Sequence, residues 1–379
     1  MLEITCSGTP YEIGQKHGSQ AARLVRGSIK FYEEYFQRKS KLTWPSAMRA
    51  AEKYLPFLEQ HVPHLVEEMR GVADGAGFSF LSILALNTRS EISMGLMDDG
   101  CTSVAWKTDR FSVAGQNWDW EDPQKERLVL LHIRPNQDNF HPKPSISQVT
   151  EAGIIGKIGL NSSGVAVFLN AIRARGVNYQ ALPLHLTFRV AMESTSRLKA
   201  VAKLRSLGSG TSGHILIADI TGATSLEFTH YDIVQMEMAN GQIAHTNHFL
   251  AEHNPPVTDS VIFPDTFTRM ERIQNLLHES WPQPAQSGNG AVSALESMLA
   301  DEMGYPASIN RRSSGPENMS STLFSIVTDL HAKTAAIRIG RPTECEEIVR
   351  LDLSGLQSAG RVSRRGVDGF GRKHSNGHL

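Results

Sequence analysis

The sequence predicts an α+β protein built in layers. Residues 1 to about 97 carry apolar side chains at the three- and four-residue spacing of amphipathic helices. From Cys101 the pattern changes to short runs rich in β-branched and aromatic residues, which is typical of strands. Helical patterns return at about 264–279 and 291–302, before two final strands. This order differs from a regular strand–helix alternation, and it therefore favours an α+β layered domain over a parallel βαβ sheet.

The helical quarter opens with a clear start signal. Thr9 is placed as the N-cap, Pro10 takes the first helical position, and Glu12 completes a capping box. Further helical patterns run from 63 to about 73 and from 79 to about 94. We therefore expect nearly the whole of this quarter to be helical.

The rest of the chain reads mainly as strands bounded by Gly, Pro, Asn or Asp. The predicted strands span 101–108, 111–118, 128–134, 147–151, 154–160, 164–170, 213–219, 224–230, 233–246, 321–328 and 333–340. A helical stretch at 182–207 interrupts them, with a second segment beginning at Arg197. The sequence after Gly355 is polar and aperiodic, which is typical of a disordered tail, and a nucleic-acid-binding arm is the alternative.

Composition narrows the possible partners and compartment. The net charge of -1 offers no basic excess for nucleic acid or an anionic membrane. Three distant cysteines, Cys6, Cys101 and Cys345, make neither a disulfide framework nor a metal clip. We see neither a secretory signal nor a run of about 18 apolar residues. We expect a cytoplasmic or peroxisomal protein, because Gly377-His378-Leu379 matches a peroxisomal address except at its first position.

The candidate nucleophile is Cys101, in the run Asp98-Asp99-Gly100-Cys101-Thr102-Ser103 where the helical quarter ends. If the Gly100–Cys101 bond is cut, the new α-amino group, with a pKa near 8, can take the proton of its own thiol. Gly100 suits the strained turn that such a cleavage needs. The alternative is that Cys101 is a small apolar residue at the start of a buried strand.

Two further residues are candidates for the same site. A hairpin of strands 101–108 and 111–118 places Asp119 beside Cys101, where its carboxylate can hold or orient the α-amine. Asn247 follows a strand and can supply an amide to an oxyanion hole. The alternatives are a turn-capping role for Asp119 and an Asx turn for Asn247.

A metal site is a third possibility. His245, His248, Glu252 and His253 lie close together in the sequence. A histidine pair three residues apart suits zinc on a helix or with a defined third ligand, and we find no second cluster. We therefore expect no metal and no cofactor.

From about residue 1 to 353 the chain resembles the fungal acyl-coenzyme A:6-aminopenicillanic acid acyltransferase (isopenicillin N acyltransferase) family. The motifs that carry the resemblance occur in the same order and at closely similar spacing. They are Gly8-Thr9-Pro10, His17-Gly18, Leu86-Asn87-Thr88-Arg89, Asp99-Gly100-Cys101-Thr102, Gln116-Asn117-Trp118-Asp119, Glu151-Ala152-Gly153-Ile154-Ile155-Gly156-Lys157, Glu193-Ser194-Thr195-Ser196, His245-Thr246-Asn247-His248, Thr322-Leu323-Phe324 and Gly340-Arg341-Pro342-Thr343.

The resemblance implies an architecture and a maturation step. The family belongs to the N-terminal-nucleophile (Ntn) hydrolases, whose fold is an αββα four-layer sandwich. Its precursor cuts itself, which here gives an α chain of residues 1–100 and a catalytic β chain of 101–355, with 356–379 as a tail. The two chains form an α/β heterodimer.

The resemblance also implies roles for individual residues. Cys101 is both the self-cleaving residue and the catalytic nucleophile, Asp119 is the acidic partner of the new N-terminus, and Asn247 is the oxyanion donor. Arg311, at the end of the run Tyr305–Arg311, corresponds to an arginine that the family requires.

The implied reaction exchanges an amide side chain through a thioester on the cysteine. Acyl-CoA is the donor and a β-lactam or another amine or amide is the acceptor, as in the last step of penicillin biosynthesis. Asn318-Met319-Ser320 occupies the place of the family's Ser-Arg-Gly run, which leaves a different substrate open. Asn310 stands where the family usually has Cys, and Thr229 replaces a Ser and keeps the hydroxyl. The alternatives are an amidohydrolase or acyltransferase of another fungal secondary metabolite and an inactive scaffold that never matures.

Overall fold

Two β-sheets pack face to face in the computed structural model, which describes residues 1–93, 100–137, 143–259, 264–280, 288–315 and 319–356. The strands are β1 (Leu2–Gly8), β2 (Gly100–Lys107), β3 (Ser112–Glu121), β4 (Leu128–Pro135), β5 (Ile146–Glu151), β6 (Ile158–Asn161), β7 (Ala166–Asn170), β8 (Gly213–Asp219), β9 (Gly222–Phe228), β10 (Ile233–Glu237), β11 (Gln242–His245), β12 (Ser320–Asp329), β13 (Thr334–Ile339) and β14 (Glu347–Asp352). The first sheet has the order β1-β4-β5-β6-β7-β8-β9-β10, and the second has the order β11-β2-β3-β12-β13-β14.

Helices cover the outer faces of both sheets. They are α1 (Pro10–Gln20), α2 (Ala22–Ser40), α3 (Trp44–Glu52), α4 (Leu55–His61), α5 (Pro63–Ala76), α6 (Phe80–Asn87), α7 (Arg89–Ile92), α8 (Leu184–Met192), α9 (Arg197–Leu207), α10 (Asp265–Ser280) and α11 (Gly288–Leu299). Helices α1, α8 and α9 contact the first sheet, and α10 and α11 contact the second. Strands β2 and β3 face β7 across the interior. The predicted αββα layering is confirmed.

The hairpin predicted at residues 101–118 is also confirmed. Strands β2 and β3 pair antiparallel, with Gly100 opposite Asp119 and Cys101 opposite Trp118. The amide of Thr108 closes the turn by donating to the carbonyl of Phe111 at 2.9 Å. The start of β2 and the end of β3 therefore lie side by side.

The prediction that the first quarter is nearly all helix was wrong at its beginning. Residues 2–8 form β1, which pairs parallel with β4. Ile4 and Cys6 are buried in this strand while Glu3 and Thr5 are exposed, so the alternation typical of a strand is present over a few residues. The capping box that follows is confirmed, because Thr9 and Glu12 each accept a hydrogen bond from the other's backbone amide.

The single strand predicted at 233–246 was wrong, because the chain there changes sheets. It forms β10 at the edge of the first sheet and β11 at the edge of the second. Asn240 and Gly241 adopt left-handed φ values of 51° and 70°, which reverse the chain between the two strands. Asn and Gly are the residues that tolerate this conformation best.

Two further differences from the prediction are a strand boundary and a missed strand. The strand expected at 154–160 begins only at Ile158, because the preceding residues form a loop with Gly153 at φ 94°. Strand β14 was missed, and it has only one fully buried side chain, Leu351, so hydrophobic patterning is weak there. Apart from Leu356, the predicted tail lies outside the described residues. Within the described ranges, we find no helix both long and apolar enough to cross a membrane.

Helices α1 and α5 cross in direct backbone contact. A Cβ atom built on Gly14 would lie 1.9 Å from the carbonyl oxygen of Glu68, and one on Gly71 would lie 2.1 Å from that of Tyr11. These distances are far below van der Waals contact, so the crossing requires glycine on both helices.

Replacing Gly14 with alanine is therefore expected to destabilise the protein by about 1–3 kcal/mol, the usual cost of overpacking a tight contact. Urea unfolding followed by circular dichroism measures the change. Gly355→Ala is the control, because a Cβ atom there meets no atom within 4 Å. Equal unfolding midpoints for the two variants would contradict the account of this crossing.

Candidate active site

Cys101 lies at the start of β2 and is fully buried. Side chains alternate along a strand, so Cys101 and Ser103 face the same side of the sheet. Ser103 donates a hydrogen bond to Asn170 at the end of β7, at 2.6 Å. The Cys101 thiol therefore lies on the face that looks into the space between the two sheets.

Asp119 lies on the opposite face of the same hairpin. Its carboxylate accepts a hydrogen bond from the hydroxyl of Thr322 at 2.7 Å, and its Oδ2 lies 3.5 Å from Nε of Arg311. A Cβ atom at position 100 would lie 2.9 Å from the same Oδ2. The carboxylate thus packs against the backbone of Gly100, and the absence of a side chain there makes this contact possible.

The surroundings of Asp119 pull its pKa in opposite directions. Complete burial raises the pKa, because the charged form loses its hydration. The charges of Arg311 and Arg269 and the hydrogen bond from Thr322 lower it. Burial outweighs them, and the pKa rises from 3.8 to about 6.

Asn247 contacts the backbone of Cys101 directly. Its Oδ1 accepts a hydrogen bond from the amide of Cys101 at 2.8 Å, and its Nδ2 donates to the carbonyl of Ala171 at 3.0 Å. The last pair of the β11–β2 ladder, His245 with Ser103, brings the Asn247 loop to this position. The side-chain donor that an oxyanion hole requires therefore points at Ala171 in the uncut chain.

Arg269 on α10 is a central residue that the sequence analysis missed. Its Nη1 donates to the carbonyl of Cys101 at 2.7 Å, and its Nη2 donates to Oδ1 of Asn247 at 2.9 Å. Its Nε pairs with Asp265, four residues earlier, at 2.8 Å. A pair at this spacing is a common feature of exposed helices, so the sequence alone offered no sign that it is buried.

Asp265 connects the two arginines of the site. It binds Arg269 through one hydrogen bond and Arg311 through another. With Asp119, these residues form a chain of four alternating charges, two positive and two negative. Each charge therefore has an opposite neighbour, which offsets part of the cost of burying it.

The arrangement suits nucleophilic chemistry at Cys101. The pKa of Arg311 is lowered overall. Burial has the largest effect, and together with the charge of Arg269 it outweighs Asp119, Asp265 and ionised Cys101, which raise the pKa. Arg311 therefore lies within electrostatic range of Cys101, whose thiolate is the reactive form. The structure brings Cys101, Asp119, Asn247 and Arg311 together, and their individual roles stay predictions.

The histidines considered for a metal site have other partners. His245 pairs with Glu227 at 2.7 Å and stacks on His214 with ring centroids 3.7 Å apart. His253 pairs with Asp232 at 2.7 Å. Within the part of the chain that the structure describes, we find no group of three His, Cys, Asp or Glu side chains arranged to hold a metal ion.

Comparison with known proteins identifies the family. The family described as acyl-coenzyme A:6-aminopenicillanic acid acyl-transferase matches residues 106–344. The chain is 37% identical over 368 residues to the acyl-coenzyme A:6-aminopenicillanic-acid-acyltransferase 40 kDa form of Emericella nidulans, covering 96% of this chain and 99% of that protein. Penicillin V acylase from Agrobacterium tumefaciens matches with a TM-score of 0.39 and 12% identity, over 68% of this chain and 89% of that one. The family match and the Emericella relative show that this chain belongs to the acyl-coenzyme A:6-aminopenicillanic acid acyl-transferase family.

Proposed function

We propose that this protein is a self-processing cysteine acyltransferase and amidohydrolase that carries its acyl group as a thioester on Cys101. One observation carries the proposal. Three polar side chains contact the backbone around Cys101: Asn247 accepts from the amide, Arg269 donates to the carbonyl, and the Asp119 carboxylate packs against the preceding Gly100. A buried structural cysteine needs no such arrangement.

The first reaction is cleavage of the chain itself. The Cys101 sulfur attacks the Gly100 carbonyl carbon, a C–S bond forms, and the C–N bond breaks as the nitrogen takes a proton. Water then opens the thioester, which gives a Gly100 carboxylate and a free thiol. The products are an α chain of residues 1–100 and a β chain that begins at Cys101, and they stay together as a heterodimer.

Acyl transfer then uses the amine that cleavage has released. The α-amino group of Cys101 takes the thiol proton, and the thiolate attacks the carbonyl of the acyl donor. In the uncut chain Oδ1 of Asn247 accepts a hydrogen bond from this nitrogen, and the same contact orients the amine after cleavage, while the side-chain amide of Asn247 is the proposed oxyanion donor. The positive charges of Arg269 and Arg311 favour the thiolate and the developing oxyanion. An amine or water completes the cycle by attacking the thioester carbonyl.

The family and the Emericella relative support acyl-CoA as donor and 6-aminopenicillanic acid as acceptor. The second candidate is transfer or hydrolysis in another fungal secondary metabolite. It is favoured by Asn318-Met319-Ser320, which replaces the Ser-Arg-Gly run of the penicillin enzyme. For the compartment, the proposal stays a cytoplasmic or peroxisomal location: His378-Leu379 match the last two positions of a peroxisomal address, and Gly377 does not match the first.

Self-cleavage is tested with Cys101→Ala. We expect the purified wild-type protein to run as two fragments on a denaturing gel, and the variant to run as a single 41.8 kDa chain. N-terminal sequencing of the larger wild-type fragment identifies the cut. A first residue other than Cys101, or cleavage of the variant at the same bond, would overturn the proposed mechanism.

The substrate pair is tested with purified, cleaved protein and mass spectrometry of the products. We expect acyl-CoA and 6-aminopenicillanic acid to give a penicillin, with Cys6→Ser as a control that keeps the activity. Product formation only with other amines in a panel would support the second candidate instead. Cleaved protein that neither transfers nor hydrolyses any acyl group would contradict both.

The pH dependence of the reaction tests the role of Asp119. We expect activity to rise with pH around 6, because the carboxylate must be ionised to hold the α-amine and its pKa is about 6. Thr322→Val removes a hydrogen bond that lowers this pKa, so the rise is expected to move to higher pH. Thr328→Val is the control, because its hydroxyl donates to the carbonyl of Ala114 instead. An unchanged profile for Thr322→Val would exclude Asp119 as the titrating group.

A further inference from the structure

The loop at residues 151–157 receives several side chains from the segment before the cut. The amide of Gly153 donates to Nε2 of His17 at 3.1 Å. Asn87 binds the loop twice: its Nδ2 donates to the carbonyl of Gly153 and its Oδ1 accepts from the amide of Ile155, both at 2.9 Å. Buried hydrogen bonds thus join α1, α6 and this loop.

Glu151, the last residue of β5, is a buried carboxylate at the start of this loop. Its two oxygens accept hydrogen bonds from Tyr32 and Arg89, which precede the cut, and from Gln124 and Lys157, which follow it. The Lys157 ammonium lies 2.5 Å from the carboxylate, and the Arg89 guanidinium lies 3.2 Å away. Glu151 therefore connects both sides of the Gly100–Cys101 bond through one carboxylate.

The carboxylate is ionised although it is completely buried. Burial alone raises the pKa of Glu151, but the charges of Arg89 and Lys157 outweigh it and hold the pKa well below its ordinary range. A buried ion pair of this kind is costly to break by removing one partner, because the remaining charges lose their compensation.

Lys157 extends this contact to the candidate nucleophile. Its Nζ lies 3.5 Å from the centre of the Trp118 ring, a cation–π contact made away from water. Trp118 lies directly opposite Cys101 in the β2–β3 ladder, so their side chains are neighbours on one face. A path of direct contacts therefore leads from Tyr32 and Arg89 to the residue paired with Cys101.

We propose that the loop at residues 151–157 locks the α chain onto the β chain after cleavage, and that Lys157 is a positioning residue that holds Trp118 against Cys101. The inference rests on the proposed self-cleavage. The partner that this surface binds is the chain's own 1–100 fragment, through His17, Tyr32, Asn87 and Arg89. The 1–100 fragment then contributes to the active protein. Its removal would take away the Tyr32 and Arg89 contacts to Glu151, and Glu151 in turn holds Lys157.

A second buried ion pair across the cut provides a matched control. Glu68 on α5 pairs with Arg189 on α8 at 2.6 and 2.9 Å, and both side chains are nearly inaccessible to solvent. No hydrogen bond or ion pair described for Glu68 involves Trp118 or Lys157. Glu68→Gln and Glu151→Gln each remove one buried carboxylate that pairs across the cut. Arg189 also donates to the carbonyl of Ile155 at 3.0 Å, but of the two carboxylates only Glu151 contacts Lys157 and so lies on the path to Cys101.

The experiment measures self-cleavage and fragment release separately in the full-length chain. Pulse-chase labelling and denaturing gels give the rate of self-cleavage. Size-exclusion chromatography in increasing urea gives the concentration at which the 1–100 fragment leaves the cleaved protein. The variants are Glu151→Gln, Lys157→Met, Lys157→Arg and the control Glu68→Gln.

We expect Glu68→Gln to release its fragment at lower urea but to cleave at the wild-type rate. Glu151→Gln is expected to release its fragment at lower urea and to cleave more slowly. Lys157→Met is expected to slow cleavage about tenfold, a size consistent with a lost buried cation–π contact, and Lys157→Arg is expected to restore it.

Three outcomes overturn the inference. They are wild-type cleavage by Lys157→Met, equal slowing by Lys157→Met and Lys157→Arg, and fragment release from Glu151→Gln at the wild-type urea concentration. If Glu151→Gln does not fold, Tyr32→Phe tests the lock by removing the hydroxyl that donates to Glu151. An uncut wild-type chain would instead overturn the proposed function.

Discussion

The pairing of Gly100 with Asp119 is the constraint on which the site depends. One side of this pair has no side chain, so a buried carboxylate reaches the backbone next to Cys101. The antiparallel register of β2 and β3 decides which residues meet there. A shift of one residue would put Asp119 on the other face of the sheet and bring Trp118 against Gly100.

That carboxylate is tolerated because the site supplies matching charges from distant parts of the chain. Arg269 and Asp265 come from α10, and Arg311 comes from the loop before β12. The cluster alternates in charge, and it places the Arg269 guanidinium on the Cys101 carbonyl and the Arg311 guanidinium beside Gly100. Such fixed dipoles and charges favour an anion without any rearrangement during the reaction.

Local signals in the sequence explain why much of this fold was predictable. The capping box at Thr9 and the hairpin at Thr108 depend on neighbours within a few residues, and both were found. The break at Asn240-Gly241 was missed although Asn-Gly is itself a turn signal. Only the tertiary structure shows that the strands on its two sides belong to different sheets.

The site shows the same difference between signals that are local in the sequence and contacts that only the tertiary structure reveals. Cys101 and Asp119 are joined by a short hairpin, which a reader of the sequence can pair. Arg269 contacts Cys101 although 168 residues separate them in the sequence. The pattern of an amphipathic helix does not indicate which group an arginine on it contacts. Asn247 was singled out as an amide that follows a strand, whereas Arg311 was found only through the resemblance to the family.

The turn at Asn240-Gly241 has a mechanical consequence for the sandwich. One short stretch of chain is the outer strand of both layers at this end, so the two sheets are tied there by covalent bonds as well as by packing. Sliding one layer over the other would strain that tie. Ala171 follows the last residue of β7 in the first sheet and Cys101 lies in the second, and Asn247 spans the gap between them. The backbone therefore sets the distance between Ala171 and Cys101 that the Asn247 side chain bridges.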